Sequence, residues 1–153
     1  MGKINLSRVI LGGLVAGIVG GILGYLVDGV ILAPRWAAAM TALGKAGEFS
    51  TNQILAFNTT GLVYGIFTVW LYAAIRPRYG AGPQTAALAG LAVWIAGTLL
   101  PNVALMGVTG LFPVGLTGMT TAAGIVESIV AALAGCSLYQ EAAGSPQSMQ
   151  ARA

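Results

Sequence analysis

Histidine is absent from this chain of 153 residues, and cysteine occurs only once, as Cys136. Imidazole is the commonest protein ligand for metals and the usual general base near neutral pH, so its absence disfavours metal centres, haem ligation and acid–base catalysis. The sequence also has no glycine-rich phosphate loop, no cysteine spacing typical of a metal site and no serine nucleophile motif. We therefore expect no metal, no cofactor and no enzymatic activity, and a buried structural role for Cys136.

Charged side chains are also scarce. Asp, Glu, Lys and Arg make up 7% of the residues, against roughly 25% in a typical soluble domain. Hydrophobic residues make up 57%, which leaves too few polar groups to cover a soluble surface and indicates lipid as the solvent. The net charge of +3 comes from scattered Lys and Arg rather than from a basic run, so we expect no nucleic-acid partner.

Four apolar stretches are each long enough to cross a bilayer, which takes about 20 helical residues. They cover residues of about 6–32, 53–75, 85–106 and 114–139. Backbone N–H and C=O groups must be paired inside lipid, so these spans are expected to be helices. The sequence thus predicts an all-α polytopic membrane protein, with a four-transmembrane-helix bundle at 1–140 and a flexible cytoplasmic tail at 141–153. The loop after the first span has room for a short interfacial helix.

The distribution of basic residues around the spans predicts the orientation. Five lie on one side and two on the other: Lys3, Arg8, Arg76, Arg78 and Arg152 against Arg35 and Lys45. Because cytoplasmic flanks are enriched in Lys and Arg, both termini are expected in the cytoplasm.

Small residues recur at a spacing of four on the first and fourth spans, which places them on one face of each helix. Such faces let helix backbones approach closely in a membrane, where packing drives association. The residues predicted to pack are Gly13, Gly17 and Gly21 with the neighbouring row Gly20 and Gly24 on the first span, and Gly124 and Ser128 on the fourth.

Glu127 interrupts the fourth span, within "AAGIVESIVAALAG" at residues 122–135. It belongs to the small-residue face of that helix. A carboxylate facing lipid at mid-depth costs at least ~2.5 kcal/mol. We therefore expect Glu127 to face inward, and either to be protonated or to have a partner.

All four spans carry polar side chains in the predicted outer half of the membrane: Asp28, Asn58, Asn102 and Thr120. The favoured interpretation is hydrogen bonding between helices and ordinary polarity near the interface, with Asp28 reaching the headgroups or pairing with Arg35. The other interpretation is a polar cavity open to the outside, with Glu127 at its floor as a proton or cation site. Pro101 is expected to free a backbone carbonyl and kink the third span.

The stretch "VWLYAAIRPRYGAGPQTAALAGLAVW", residues 69–94, resembles the signature of an uncharacterised family of small four-helix bacterial membrane proteins. The similarity extends to "ILGGLVAGIV" near the start and "GLFP" before the last span. It implies a four-helix fold that crosses the bacterial inner (plasma) membrane several times. The glycine-rich middle of the first span departs from the bulkier residues expected there.

Two functions remain open on these grounds. The first is a non-enzymatic structural or accessory subunit that packs its helices in a homo-oligomer or with other membrane protein subunits. The alternative is a small oligomeric transporter or channel, with Glu127 as its ionisable site. Pigment or haem binding ranks below both, because no histidine is present.

Overall fold

The computed structural model describes residues 4–45, 47 and 49–141. The predicted tail lies outside this part of the chain except for Glu141. Helix α1 (Leu6–Gly24) continues without a break into a π-helical segment, Tyr25–Ile31, and α2 (Ala33–Ala42) follows it. The remaining elements are α3 (Thr51–Tyr79), α4 (Pro83–Trp94), a second π-helical segment (Ile95–Leu99), α5 (Leu100–Thr109) and α6 (Val114–Cys136). The described residues are helical with no strand, which confirms the all-α prediction.

Within the described part of the chain, four helices are long and apolar enough to cross a membrane: Leu6–Ile31, Thr51–Tyr79, Pro83–Met106 and Val114–Cys136. The shortest has 23 residues, which at ~1.5 Å per residue exceeds the ~30 Å of a hydrocarbon core. Their bounds differ from those predicted from the sequence by at most four residues. Helix α2 is the short helix that the loop after the first span was expected to allow.

Local signals explain where the helices begin. The side chain of Asn5 accepts a hydrogen bond from the backbone N–H of Arg8 at the start of α1. Ser50 and Gln53 form a reciprocal capping box at the start of α3. These contacts satisfy backbone donors that have no partner in the first turn of a helix.

The π-helical segment Ile95–Leu99 lies directly before Pro101. In a regular α-helix the ring of a proline clashes with the carbonyl four residues earlier. Here the N–H of Leu100 reaches back five residues to the carbonyl of Ile95, which widens the turn. The chain therefore accommodates Pro101 with a π-helical turn. From the sequence, only a freed carbonyl and a kink were predicted at this position.

The four long helices form a bundle in which α1 and α4 each pack on both α3 and α6. The closest approach joins α1 to α3. A Cβ atom added at Gly65 would meet backbone atoms of Gly13 and Gly17, and one at Gly13 would meet the backbone of Ile66. Helix α6 is held similarly, because Gly12 and Gly135 bring its backbone against that of α1.

The bundle has two ends. We call the end formed by Leu6, Tyr79, Pro83 and Cys136 the terminal end, and the end formed by Ile31, Thr51, Met106 and Val114 the α2 end. The main core lies towards the terminal end and includes Val69, Tyr72 and Ala89. A smaller one, with Leu32, Ala39 and Leu116, lies under α2. Large apolar side chains such as Phe57 and Val108 cover the outside, where they are 76% and 84% exposed.

Candidate functional site: a cavity at Glu127

A cavity of ≈ 160 Å³ lies between the four long helices, about halfway along the bundle. Its walls come from α1, α3, α4 with the second π-helical segment, and α6. Gly20, Gly21, Gly61, Tyr64, Trp94 and Glu127 are among the residues that line it. Of the described residues in its wall, Glu127 is the only acidic or basic one.

The carboxylate of Glu127 faces this cavity, and within the described part of the chain its Oε1 atom has no hydrogen-bond partner. Its Oε1 atom is buried, and no hydrogen-bond donor among the described residues reaches it. Its Oε2 atom lies close to α1, because a Cβ atom added at Gly24 would be 3.7 Å from it. The structure thus turns Glu127 inward, where a ligand or a proton is the group that can satisfy it. Burying such an oxygen unsatisfied costs about 1–3 kcal/mol, more if it is charged.

The cavity exists because small residues continue along the helices beyond the point where their backbones touch. Gly65 sits in close contact with α1, whereas a Cβ atom at Gly61, one turn away, would meet nothing within 4 Å. On the facing side, a Cβ atom at Gly21 would have no neighbour nearer than 3.9 Å. With no side chains to fill it, the space between the diverging backbones stays open.

Two aromatic side chains complete the wall. Trp94 is fixed by a hydrogen bond of 2.9 Å from its Nε1 to the carbonyl of Thr121. The ring of Tyr64, on α3, packs against the second π-helical segment, where a Cβ atom at Gly97 would lie 2.7 Å from its Cε1. Tyr64 also borders a depression on the outer surface of α3, next to Val63 and Phe67. Tyr64 is therefore shared between the cavity and this outer depression.

Asp28 forms a separate polar site at the α2 end, outside the cavity wall. Its Oδ1 accepts hydrogen bonds from Thr120 Oγ1 at 2.7 Å and from Trp36 Nε1 at 3.0 Å. The ring of Trp36 packs edge-on against Phe112, with 5.4 Å between centroids. Asp28 therefore joins the first span, α2 and α6.

The predicted pairing of Asp28 with Arg35 is not formed. No ion pair links these two residues in the described chain, and Nη1 of Arg35 instead contacts Sδ of Met119 at 3.1 Å. Asp28 is instead satisfied by its hydrogen bonds from Thr120 and Trp36.

The two asparagines of the predicted polar group, Asn58 and Asn102, also bond to different partners. Asn102 donates a hydrogen bond of 2.8 Å to Thr121 Oγ1, which itself donates to the carbonyl of Thr117. Asn58 is exposed and donates to the carbonyl of Ile54 on its own helix. The polar residues predicted from the sequence thus fall into separate groups, and Glu127 is the one that lines the cavity.

The small residues predicted to pack have several different surroundings. Gly13 and Gly17 lie in the α1–α3 contact, and a Cβ atom at Gly124 would lie 3.2 Å from Cδ1 of Trp94. Four of the set line the cavity: Gly17, Gly20, Gly21 and Ser128. Gly24 lies beside the carboxylate of Glu127.

The sequence analysis did not identify the residues on the other helices that contact these small residues. Gly61 and Gly65 have the same spacing of four as Gly13 and Gly17, so the signal was present on the second span. Tyr64 and Trp94 lie in the middle of their spans, whereas aromatic residues favour the membrane interfaces. This unusual position was the signal that could have identified them as site residues.

No family model, curated protein or solved structure matches this chain. The resemblance to small four-helix bacterial membrane proteins therefore stays a prediction, and functional inference depends on the geometry of the site.

Proposed function

We propose that this chain is an integral membrane protein that binds a proton or a monovalent cation at Glu127 and carries it across the bilayer. The observation that supports this most directly is the buried, unpartnered Oε1 of Glu127 beside a cavity of ≈ 160 Å³. An acidic residue kept inside an apolar bundle is costly, and such residues typically serve ion or proton pathways. The tight glycine contacts on either side give this cavity a rigid frame.

The role as an accessory packing subunit, which the sequence analysis placed first, is the second candidate. It was based on the small-residue faces, the short loops and the lack of a soluble domain or catalytic set, and only the first of these grounds is weakened by the helix contacts. The structure uses those faces within the chain: Gly13 and Gly17 meet α3, and Ser128 meets Gly90 of α4. An accessory role would have to depend on other surfaces of the bundle.

We further propose that the chain crosses the bacterial inner membrane four times with both termini in the cytoplasm, and that it acts as a homo-oligomer. The excess of basic residues flanking the terminal end supports the orientation. Four helices are few for a complete pathway, which supports assembly of several copies. Cross-linking in native membranes followed by mass determination tests the assembly, and a monomer as the sole species would exclude it.

Flux into proteoliposomes tests the transport function. With a negative-inside potential, the wild-type protein is expected to admit protons or sodium, as followed by entrapped pH- or sodium-sensitive dyes. Glu127→Gln should abolish the flux, because it removes the charge and keeps the shape. Glu141→Gln is the matched control, since Glu141 is half-exposed and pairs with Arg76 outside the cavity.

The proposal fails if the wild-type protein gives no flux above that of empty vesicles for protons, sodium, potassium and small amines. It also fails if Glu127→Gln conducts as well as the wild type. Co-purification of the wild-type chain with a large membrane complex, together with absent flux, would favour the accessory role instead.

A further inference from the structure

We propose that the Glu127 cavity is a binding site for a small organic ammonium ion, with tetramethylammonium as its simplest representative. This inference rests on the proposed function and names the class of cation that the site accepts. Charge, wall chemistry and size support it independently.

The charge of the cavity favours one monovalent cation. Glu127 is the only acidic or basic side chain among the described residues of the wall, so an anion meets no positive group there. Divalent metal ions need six or more oxygen ligands, or a cluster of acidic, histidine or cysteine side chains. The described part of the chain contains no cluster of three such residues. A single carboxylate matches a single positive charge.

The chemistry of the wall favours a cation with an apolar exterior. Besides Glu127, half of the wall residues are glycine or alanine, and the rest are the aromatic residues Tyr64 and Trp94, one valine and three hydroxyl residues, Thr68, Thr98 and Ser128. Aromatic rings attract cations through their negative faces, and quaternary ammonium groups are typical ligands of such sites. A quaternary ammonium ion needs no hydrogen-bond acceptors from the wall, whereas a hydrated divalent metal ion would have to exchange its waters for few protein oxygens.

The size of the cavity limits the ligand. An apolar protein cavity of about 150 Å³ is known to hold benzene, which has six non-hydrogen atoms. The Glu127 cavity, at ≈ 160 Å³, is of the same size. Tetramethylammonium, with five non-hydrogen atoms, fits within this volume, while ions with long alkyl chains exceed it.

Calorimetric titration of the purified full-length protein with tetramethylammonium chloride tests the inference. Tert-butanol serves as a neutral ligand of similar shape, and sodium chloride controls for ionic strength. Saturable binding of tetramethylammonium, and not of tert-butanol, is expected. Glu127→Gln should abolish it, Glu127→Asp should restore part of it and Glu141→Gln should leave it unchanged.

The aromatic contribution is tested separately with Tyr64. Tyr64→Phe keeps the ring and should bind as the wild type does. Tyr64→Leu removes the ring and should weaken binding by about tenfold, as expected for a desolvated cation–π contact. Equal affinities of the Phe and Leu variants would remove Tyr64 from the site.

The possible results distinguish this inference from the proposed function. Glu127-dependent flux of protons or sodium with no tetramethylammonium binding would overturn the inference and leave the function standing. Binding that persists in Glu127→Gln, or that tert-butanol matches, would also overturn it. Absence of both binding and flux would overturn the two together.

Discussion

Thr120 on α6 donates a hydrogen bond of 2.7 Å to Asp28, which lies 92 residues earlier on the first span. Thr120 and Glu127 are two helical turns apart on the same face of α6, since seven residues separate them. Asp28 and Glu127, the acidic residues of the first and fourth spans, therefore lie along the same contact between these two spans. Asp28 has partners at the α2 end, whereas Oε1 of Glu127 has none among the described residues and faces the cavity. This difference supports the proposal that Glu127 is the cation-binding group.

Replacing Glu127 by Gln is expected to stabilise the folded protein while it removes the transport activity. Burying a charged group without a partner costs more than the roughly 1–3 kcal/mol of an unsatisfied neutral group, and the neutral amide of Gln avoids that additional cost. Thermal unfolding in detergent, compared with Glu141→Gln, measures the effect. A lower melting temperature for Glu127→Gln than for wild type would mean that Glu127 has a stabilising partner.

Replacing Thr120 by Val should destabilise the bundle by about 1 kcal/mol, because hydrogen bonds between membrane helices contribute amounts of this order. The change keeps the shape of the side chain and removes the donor to Asp28. Thr60→Val is the matched control, as Thr60 is exposed and bonds only to the carbonyl of Ala56 on its own helix. In an Asp28→Ala background, which removes the acceptor, the cost of Thr120→Val should shrink, and equal costs in both backgrounds would rule out the coupling.

Two glycines one turn apart on α3 should respond very differently to alanine. Gly65→Ala places a methyl group against the backbone of Gly13 and Gly17, and overpacking of this kind typically costs about 1–3 kcal/mol. Gly61→Ala meets nothing within 4 Å and should be tolerated. Denaturant unfolding of the two variants compares them directly. Similar stabilities would show that α1 and α3 do not approach as closely as the structure indicates.

Cys136 should resist maleimide labelling in the native protein and react only after denaturation, because its side chain is buried at 3% exposure. Ser137, the next residue, is exposed at the terminal end of α6. In a Cys136→Ala background, Ser137→Cys should be labelled readily. With a membrane-impermeant reagent, labelling is expected in inverted vesicles and not in intact cells, and the reverse pattern would place this end outside the cytoplasm.

Much of the fold was predictable because the residues that specify the helices and their ends lie close together along the sequence. A helix in lipid must be apolar along its whole length, so the ends of the spans are visible as changes in hydropathy. The start of α3 is marked by Ser50 and Gln53 as a capping box, another pattern that can be read along the chain. The inward direction expected for Glu127 followed from the same cost of polar groups in lipid.

Which residues line the cavity was less predictable, because this depends on how each helix is rotated about its axis. Asp28 and Asn58 were expected in one polar group, yet Asn58 bonds to its own helix and Asp28 bonds to Thr120 and Trp36. Each π-helical turn adds a residue, which rotates the following side chains by about 100° relative to a regular α-helix. Asp28 lies within one such segment and Asn102 follows the other, so α-helical spacing does not predict their directions.

Sequence alone therefore determined that this is an all-helical chain with four helices able to span a membrane, and that an acidic residue lies within the last of them. Hydrophobic run length and the cost of burying charge are sufficient for both conclusions. Only the tertiary structure decided that the glycine faces are used within the chain, that Tyr64 and Trp94 join Glu127, and that a cavity remains between them. Those features depend on the distance and rotation between helix pairs, which are set by contacts such as Gly13 and Gly17 with Gly65, far apart along the chain.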